Sequence, residues 1–185
     1  MKNPLFIAEV KTQSPFGYES ETRWEDLFSL ADEVGDMISV HTNPLWGGSM
    51  NLIRRAKGMT DKPILAKGIH QDDESIKEAL RAGADNVLVV GRTPNDYKLR
   101  PFCWIEPYSI GQMGRLSLTY LDVVVWNSRD LGTGEVKTET FDEARRVFEG
   151  MLVQASNIRT ESDINPRADA IIVGQHLQEF VDSRS

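Results

Sequence analysis

Cysteine is almost missing from this chain: Cys103 is the only one. That excludes an internal disulfide and a thiolate metal cluster, and it fits a reducing cytoplasm. The three histidines show no metal-ligand spacing, so neither a metal nor another cofactor is expected. No apolar run approaches the roughly 20 residues of a membrane span. Glu9 interrupts the first apolar stretch before a signal-peptide core could form. A basic excess is lacking too. The net charge of −7 argues against nucleic acid and anionic membrane surfaces as partners, so an anionic ligand would need a local cluster of Lys or Arg. There is no low-complexity segment and no linker, and 185 residues read as one domain, 1–185. A glycine-rich dinucleotide fingerprint and a Walker A loop are both absent, which weighs against a nucleotide-binding open sheet.

What is present is an alternation of apolar runs and amphipathic segments. Its centre is Pro63-Ile64-Leu65-Ala66-Lys67-Gly68-Ile69-His70, a buried strand that delivers a lysine to its carboxyl end. Strands are expected at 5–10, 37–40, 64–67, 86–90, 102–106, 122–126, 151–155 and 170–173. Helices are expected at 22–33, 49–57, 74–83, 138–149 and 176–182, with a weak one at 112–120 and a turn near Glu161. The rhythm breaks at 92–101, which is polar, holds two prolines and has no helical face. Eight strand–helix units imply a parallel sheet closed into a (β/α)₈ TIM barrel, here trimmed well below its usual ~250 residues. A doubly wound open sheet is the competing architecture.

In such a barrel the chemistry sits at the carboxyl ends of the strands. Those ends carry Glu9 and Lys11, then Lys67, Glu106, Asn127 and Arg129, Ser156, and Gly174. Glutamates and lysines converging in one mouth shift one another's pKa values, which is how general acids and bases are made. A structural ion-pair network is the plainer alternative. His41 and His70 follow the second and third strands and read as ordinary loop residues. Trp46 and Trp104 read as packing residues, although Trp46 lies on a loop of the active face. Gly47-Gly48-Ser49 offers backbone N–H groups at a helix N-terminus.

Several segments together resemble the indole-3-glycerol-phosphate synthase family. They are Ile7-Ala8-Glu9-Val10-Lys11 with Ser14-Pro15, Trp46-Gly47-Gly48-Ser49, Ile64-Leu65-Ala66-Lys67, Ala82-Gly83-Ala84-Asp85, Ile105-Glu106, Asn127-Ser128-Arg129-Asp130-Leu131, Ser156 with Ile158, and Val173-Gly174. The resemblance implies a lyase of tryptophan biosynthesis. It would close the pyrrole ring of 1-(2-carboxyphenylamino)-1-deoxyribulose 5-phosphate with loss of carbon dioxide and water. By the same resemblance Lys67 is the general acid, Glu106 the proton-handling carboxylate, and Glu9 part of the charge network. Lys11, Ser14, Trp46, Asn127, Arg129, Ser156, Asn157, Gly174 and Gln175 would contact the anionic substrate.

The departures from the family pattern are specific. The family's N-terminal extension and the helix between strands four and five are expected to be missing. Ala155-Ser156-Asn157 stands where the family has Glu-Ser-Gly, and Gln175 stands where serine follows the strand-eight glycine. Two alternatives therefore stay open. One is an inactive or weakly active barrel that binds a sugar phosphate or a partner protein. The other is a different phosphate-handling enzyme with Lys67 as a Schiff-base lysine. The bare 92–101 connection further predicts an exposed apolar flank over strands four and five, from the 87–90 run and Phe102 or Trp104. Such a flank would be buried in a homodimer.

Overall fold

The eight apolar runs become eight parallel strands in a computed structural model that describes residues 3–184. Residues 1, 2 and 185 lie outside it, and the first two of these belong to the opening stretch read above as no signal peptide. In chain order the elements are β1 (Leu5–Val10), α1 (Trp24–Val34), β2 (Met37–His41), α2 (Met50–Lys57), β3 (Ile64–Lys67), α3 (Asp73–Ala82) and β4 (Asn86–Val90). Then come β5 (Cys103–Glu106), α4 (Ile110–Met113), β6 (Val123–Asn127), α5 (Phe141–Val147), β7 (Met151–Ala155), β8 (Ala170–Val173) and α6 (Leu177–Asp182). Each strand pairs with the next, and Leu5 pairs with Ala170 to close the barrel.

Period-two alternation sorts each strand into two faces. Ile7, Met37, Leu65, Leu88, Trp104 and Val125 pack together inside the barrel. Phe6, Ala8, Val87, Val89 and Cys103 face the shell, where they meet Phe28, Ile53 and Ile76 of the helices. A separate cluster of Trp126, Met113, Phe141, Ala144 and Phe148 lies under α4 and α5. Among the described residues no helix is long and apolar enough to cross a membrane.

The connection from β4 to β5 differs from the expectation. Residues Tyr97–Phe102 form 3₁₀ turns that set Leu99 over the strands. Val87 and Val89 are fully buried, so the strands themselves present no exposed flank, and the exposed apolar residues here are Tyr97 and Phe102 of the connection. Trp104, taken as outward-facing, points into the barrel, and half-exposed Phe102 precedes the strand. The homodimer argument built on that flank loses its premise.

Charge, not apolar periodicity, holds this segment. Asp73, in the first turn of α3, accepts from the Arg92 guanidinium and from the backbone N–H groups of Asn95 at 3.1 Å and Asp96 at 2.7 Å. Arg100 makes a two-pronged pair with Asp122, at 2.7 and 2.8 Å. That pairing also leaves Asp122 ahead of the sixth strand. The helix expected at 112–120 shrinks to one turn. Ser117 has φ of 50°, a left-handed backbone that no right-handed helix can run through.

Candidate active site

The carboxyl ends of β1, β2, β3, β5 and β6 bring Glu9, His41, Lys67, Glu106 and Asn127 into one mouth. Glu9 and Glu106 are 3% and 2% exposed, which is tolerable for carboxylates only if they are partnered or protonated. Glu9 is partnered. Lys67 Nζ donates to its Oε2, and His41 Nε2 lies 3.1 Å from its Oε1. Glu106 has a neutral partner, accepting from Asn127 Nδ2 at 2.9 Å.

These surroundings drive the two carboxylates apart. Burial pushes Glu9 up, but the Lys67 ammonium and His41 outweigh it and hold the group well below the usual carboxylate range. For Glu106 burial wins over the attraction of Lys67 and the bond from Asn127, and its pKa is raised. Burial also depresses Lys11, against the pull of Glu9, and His41 likewise. Two carboxylates near one lysine, one with its pKa lowered and the other with its pKa raised, make a general acid–base arrangement.

The mouth opens as a cleft lined by Lys11, Phe16, Trp46, Lys67, Glu106 and Arg129 among others. Ile69, Leu88, Val90 and Leu131 supply an apolar wall suited to a flat ring. A second recess adjoins it, bounded by Ser156, Asn157, Gly174, Gln175 and His176, with Lys11 and Arg129 on the shared rim. Basic groups in a recess rimmed by turn backbone suit an oxyanion.

Asn127 organises the space between cleft and recess. Its Oδ1 accepts from Arg129 N at 3.0 Å and from Ser156 Oγ at 2.6 Å. Arg129 Nη2 donates to Asn157 Oδ1 at 3.0 Å, and Asn157 Nδ2 donates to Ser128 Oγ at 2.8 Å. Ser156 and Asn157 are both left-handed, with φ of 70° and 57°. Asparagine tolerates that region better than most residues, so position 157 keeps a glycine-like backbone path.

The twelve residues singled out from sequence therefore gather at one end of the barrel, and three of them also have a structural part. Ser14 Oγ accepts from Phe16 N and Tyr18 N, both at 3.3 Å, and so braces a turn on a shallow groove beside the cleft. Trp46 is a wall of the cleft and also lies parallel to His41, with ring centroids 6.4 Å apart. Gly174 makes room, since a Cβ there would collide with the Glu9 carboxylate. His70 is structural as read, with Nδ1 at 2.6 Å from Leu88 O and Nε2 at 3.0 Å from Thr42 Oγ1.

Two residues were missed. His41 belongs to the mouth, as strand parity with Met37 indicates. Lys137 returns from the loop after β6, sits 4.7 Å over the Trp126 ring, and faces Glu106 electrostatically. No sequence signal marks it.

Comparison with known proteins places this geometry. The family model for indole-3-glycerol phosphate synthase matches residues 1–103, more than half the chain. The chain belongs to that family.

The indole-3-glycerol phosphate synthase of Thermoanaerobacter sp. (strain X514) is 30% identical over 164 residues, 80% of this chain and 63% of the relative. The chain thus spans under two thirds of that relative. The indole-3-glycerol phosphate synthase of Leptospira interrogans is 25% identical over 198 residues, covering 96% of this chain and 78% of its own. Among solved structures, KGPDC from Streptococcus mutans overlays with a TM-score of 0.67 at 14% identity, covering 97% of this chain and 96% of that one. That likeness speaks to the fold alone. Against the family pattern Ala155 supplies no carboxylate, because its methyl packs in the barrel interior. Gln175 adds a side chain to the recess wall.

Proposed function

We propose that the chain is an indole-3-glycerol phosphate synthase. On this reading it converts 1-(2-carboxyphenylamino)-1-deoxyribulose 5-phosphate to indole-3-glycerol phosphate, carbon dioxide and water. The observation that carries the reading is the pair of buried carboxylates of opposed proton affinity around Lys67, in a cleft with an apolar wall and a basic recess. The aromatic ring lies against Ile69, Leu88 and Leu131, and the phosphate enters the recess between Ser156-Asn157 and Gly174-Gln175, with Lys11 adding charge.

Lys67 donates a proton to the ketone oxygen as the ring carbon attacks, so an alcohol forms instead of an alkoxide. The substrate carboxylate then departs as carbon dioxide, its bonding electron pair restoring the aromatic ring, and Lys67, now a neutral amine, regains its proton from solvent. Glu106 gives its proton to the hydroxyl leaving as water, and its carboxylate takes the one shed as the pyrrole aromatises. Glu9 stays ionised and keeps Lys67 aimed. Asn127 and Arg129 position the hydroxyl-bearing chain. A small anionic substrate of this kind and a biosynthetic role fit a cytoplasmic enzyme.

The deciding experiment is incubation with the open-chain substrate while indole fluorescence is followed. Fluorescence that grows with enzyme concentration supports the reading. Borohydride inactivation in the presence of substrate would instead reveal a Schiff base on Lys67. A second reading, a slow or inactive relative, is favoured by Ala155 and by the side chains of Asn157 and Gln175 at the recess. It predicts phosphate binding without fluorescence.

A further inference from the structure

His41 has no part in the roles above, yet it is sited as if it had one. Its ring is 5% exposed and projects from the carboxyl end of β2 into the cleft. Its register partner on β3 is Lys67, which follows the apolar Leu65 and Ala66, and an imidazole buried there loses hydration that a leucine would not miss. Nε2 is sealed from solvent and has no well-aligned hydrogen-bond partner among the described residues. The nearest acceptor is Glu9 Oε1, at 3.1 Å. The Trp46 indole lies parallel to the ring, 2° off its plane with centroids 6.4 Å apart, and Gly48 packs so close that a Cβ there would strike the His41 backbone. Glu9 is thereby approached from three neighbouring strands: Lys67 on Oε2, His41 at Oε1, and the bare Gly174 beneath its carboxylate.

We propose that His41 is a positioning residue for this site, which together with Lys67 takes one oxygen each of the Glu9 carboxylate and so fixes the direction of the lysine. This deepens the proposed synthase reading and rests on it for its catalytic consequence. Without His41, Oε1 becomes a buried carboxylate oxygen with no donor near it. Glu9 then binds a proton more readily, and the ammonium of Lys67 loses its fixed counter-charge. The charged groups facing the imidazole are Glu9 and Lys11 from β1 and its end, and Lys67 from β3.

The test has two arms. In the first, His41→Leu should lower kcat roughly ten- to a hundredfold, the scale of a hydrogen bond to a charged group, with KM changed less than about threefold. The acid limb of kcat/KM should move to higher pH. His41→Gln, whose carboxamide N–H can reach the same oxygen, should recover most of the loss. A His41→Leu protein with wild-type kcat and an unmoved acid limb overturns the proposal. The second arm needs no turnover. The titration of ¹⁵N-labelled His41 is followed by NMR in wild type and in Glu9→Gln, where loss of the carboxylate should lower the imidazole pKa. An unchanged titration overturns the proposal as well. Should wild type fail to turn over the substrate, the synthase reading falls, and the NMR arm alone decides whether His41 and Glu9 are coupled.

Discussion

Gly174→Ala isolates one contact of the site. No left-handed φ requires glycine at this position, so backbone strain does not enter. The added methyl would lie 2.7 Å from Glu9 Cδ and 3.1 Å from Cγ, and nearer still to Oε1. Glu9 has little room to retreat, because Lys67 Nζ bonds its Oε2 and His41 Nε2 stands 3.1 Å from its Oε1. Overpacking of this kind costs about 1–3 kcal/mol, and for a chain of this size each kcal/mol lowers the melting midpoint by roughly 2–4 °C. Displacing the carboxylate by an ångström should also reduce kcat about a hundredfold. The decisive measurement is a double-mutant cycle in urea at pH 7. In a Glu9→Ala background every atom of the clash is gone, so Gly174→Ala should cost close to nothing there, and the coupling energy should equal nearly the whole single-mutant cost. If Gly174→Ala costs the same in both backgrounds, the clash is not with Glu9, and the account of why glycine stands here is wrong.

Other outcomes follow from the same geometry. Lys67→Ala should cut kcat by about 10²–10⁴-fold with a much smaller change in KM, because a general acid acts mainly in the transition state; steady-state fluorescence kinetics measure both. Glu106→Gln should be comparably inactive yet more stable than wild type at neutral pH. A carboxylate whose folded-state pKa is raised costs stability once the pH climbs above its unfolded value of about 4.3; urea midpoints of the two proteins should converge near pH 4 and separate above it. Inorganic phosphate should compete with substrate and raise the thermal midpoint, and Lys11→Ala should remove most of that stabilisation.

Much of this architecture was legible because parallel strands buried on both faces are continuous apolar runs, and a polar residue at the end of one announces the mouth. Glu9, Lys67, Glu106 and Asn127 stand out for that reason. Trp104 was readable too: Glu106 must face the mouth, and a residue two places earlier shares its face. The outward assignment ignored that parity. What periodicity could not reveal lies in connections. The Asp73–Arg92 bond joins residues 19 apart, and Leu99 is the buried residue of the 3₁₀ turns at Tyr97–Phe102. Lys137 reaches Glu106 only because residues 128–137 double back, with Lys137 N donating to Ser128 O at 2.7 Å. His41 was discounted since the position of a terminal strand residue in the mouth depends on stagger between strands, which no single strand encodes.

Gly174 follows the last strand and Glu9 lies on the first. A chain made from its N-terminus folds its early part first, yet β1 has a vacant edge until β8 arrives to pair with it. The pocket that confines Glu9 is therefore assembled across the seam of the barrel. Lys67 and His41 can meet Glu9 once three strands exist, but nothing restrains the carboxylate from below until the ring is shut. A nascent or truncated chain lacking β8 can hold most of the mouth's residues and still have no confined acid–base pair. Closure of the ring therefore completes the site: the confined Glu9 exists only where the first and last strands meet.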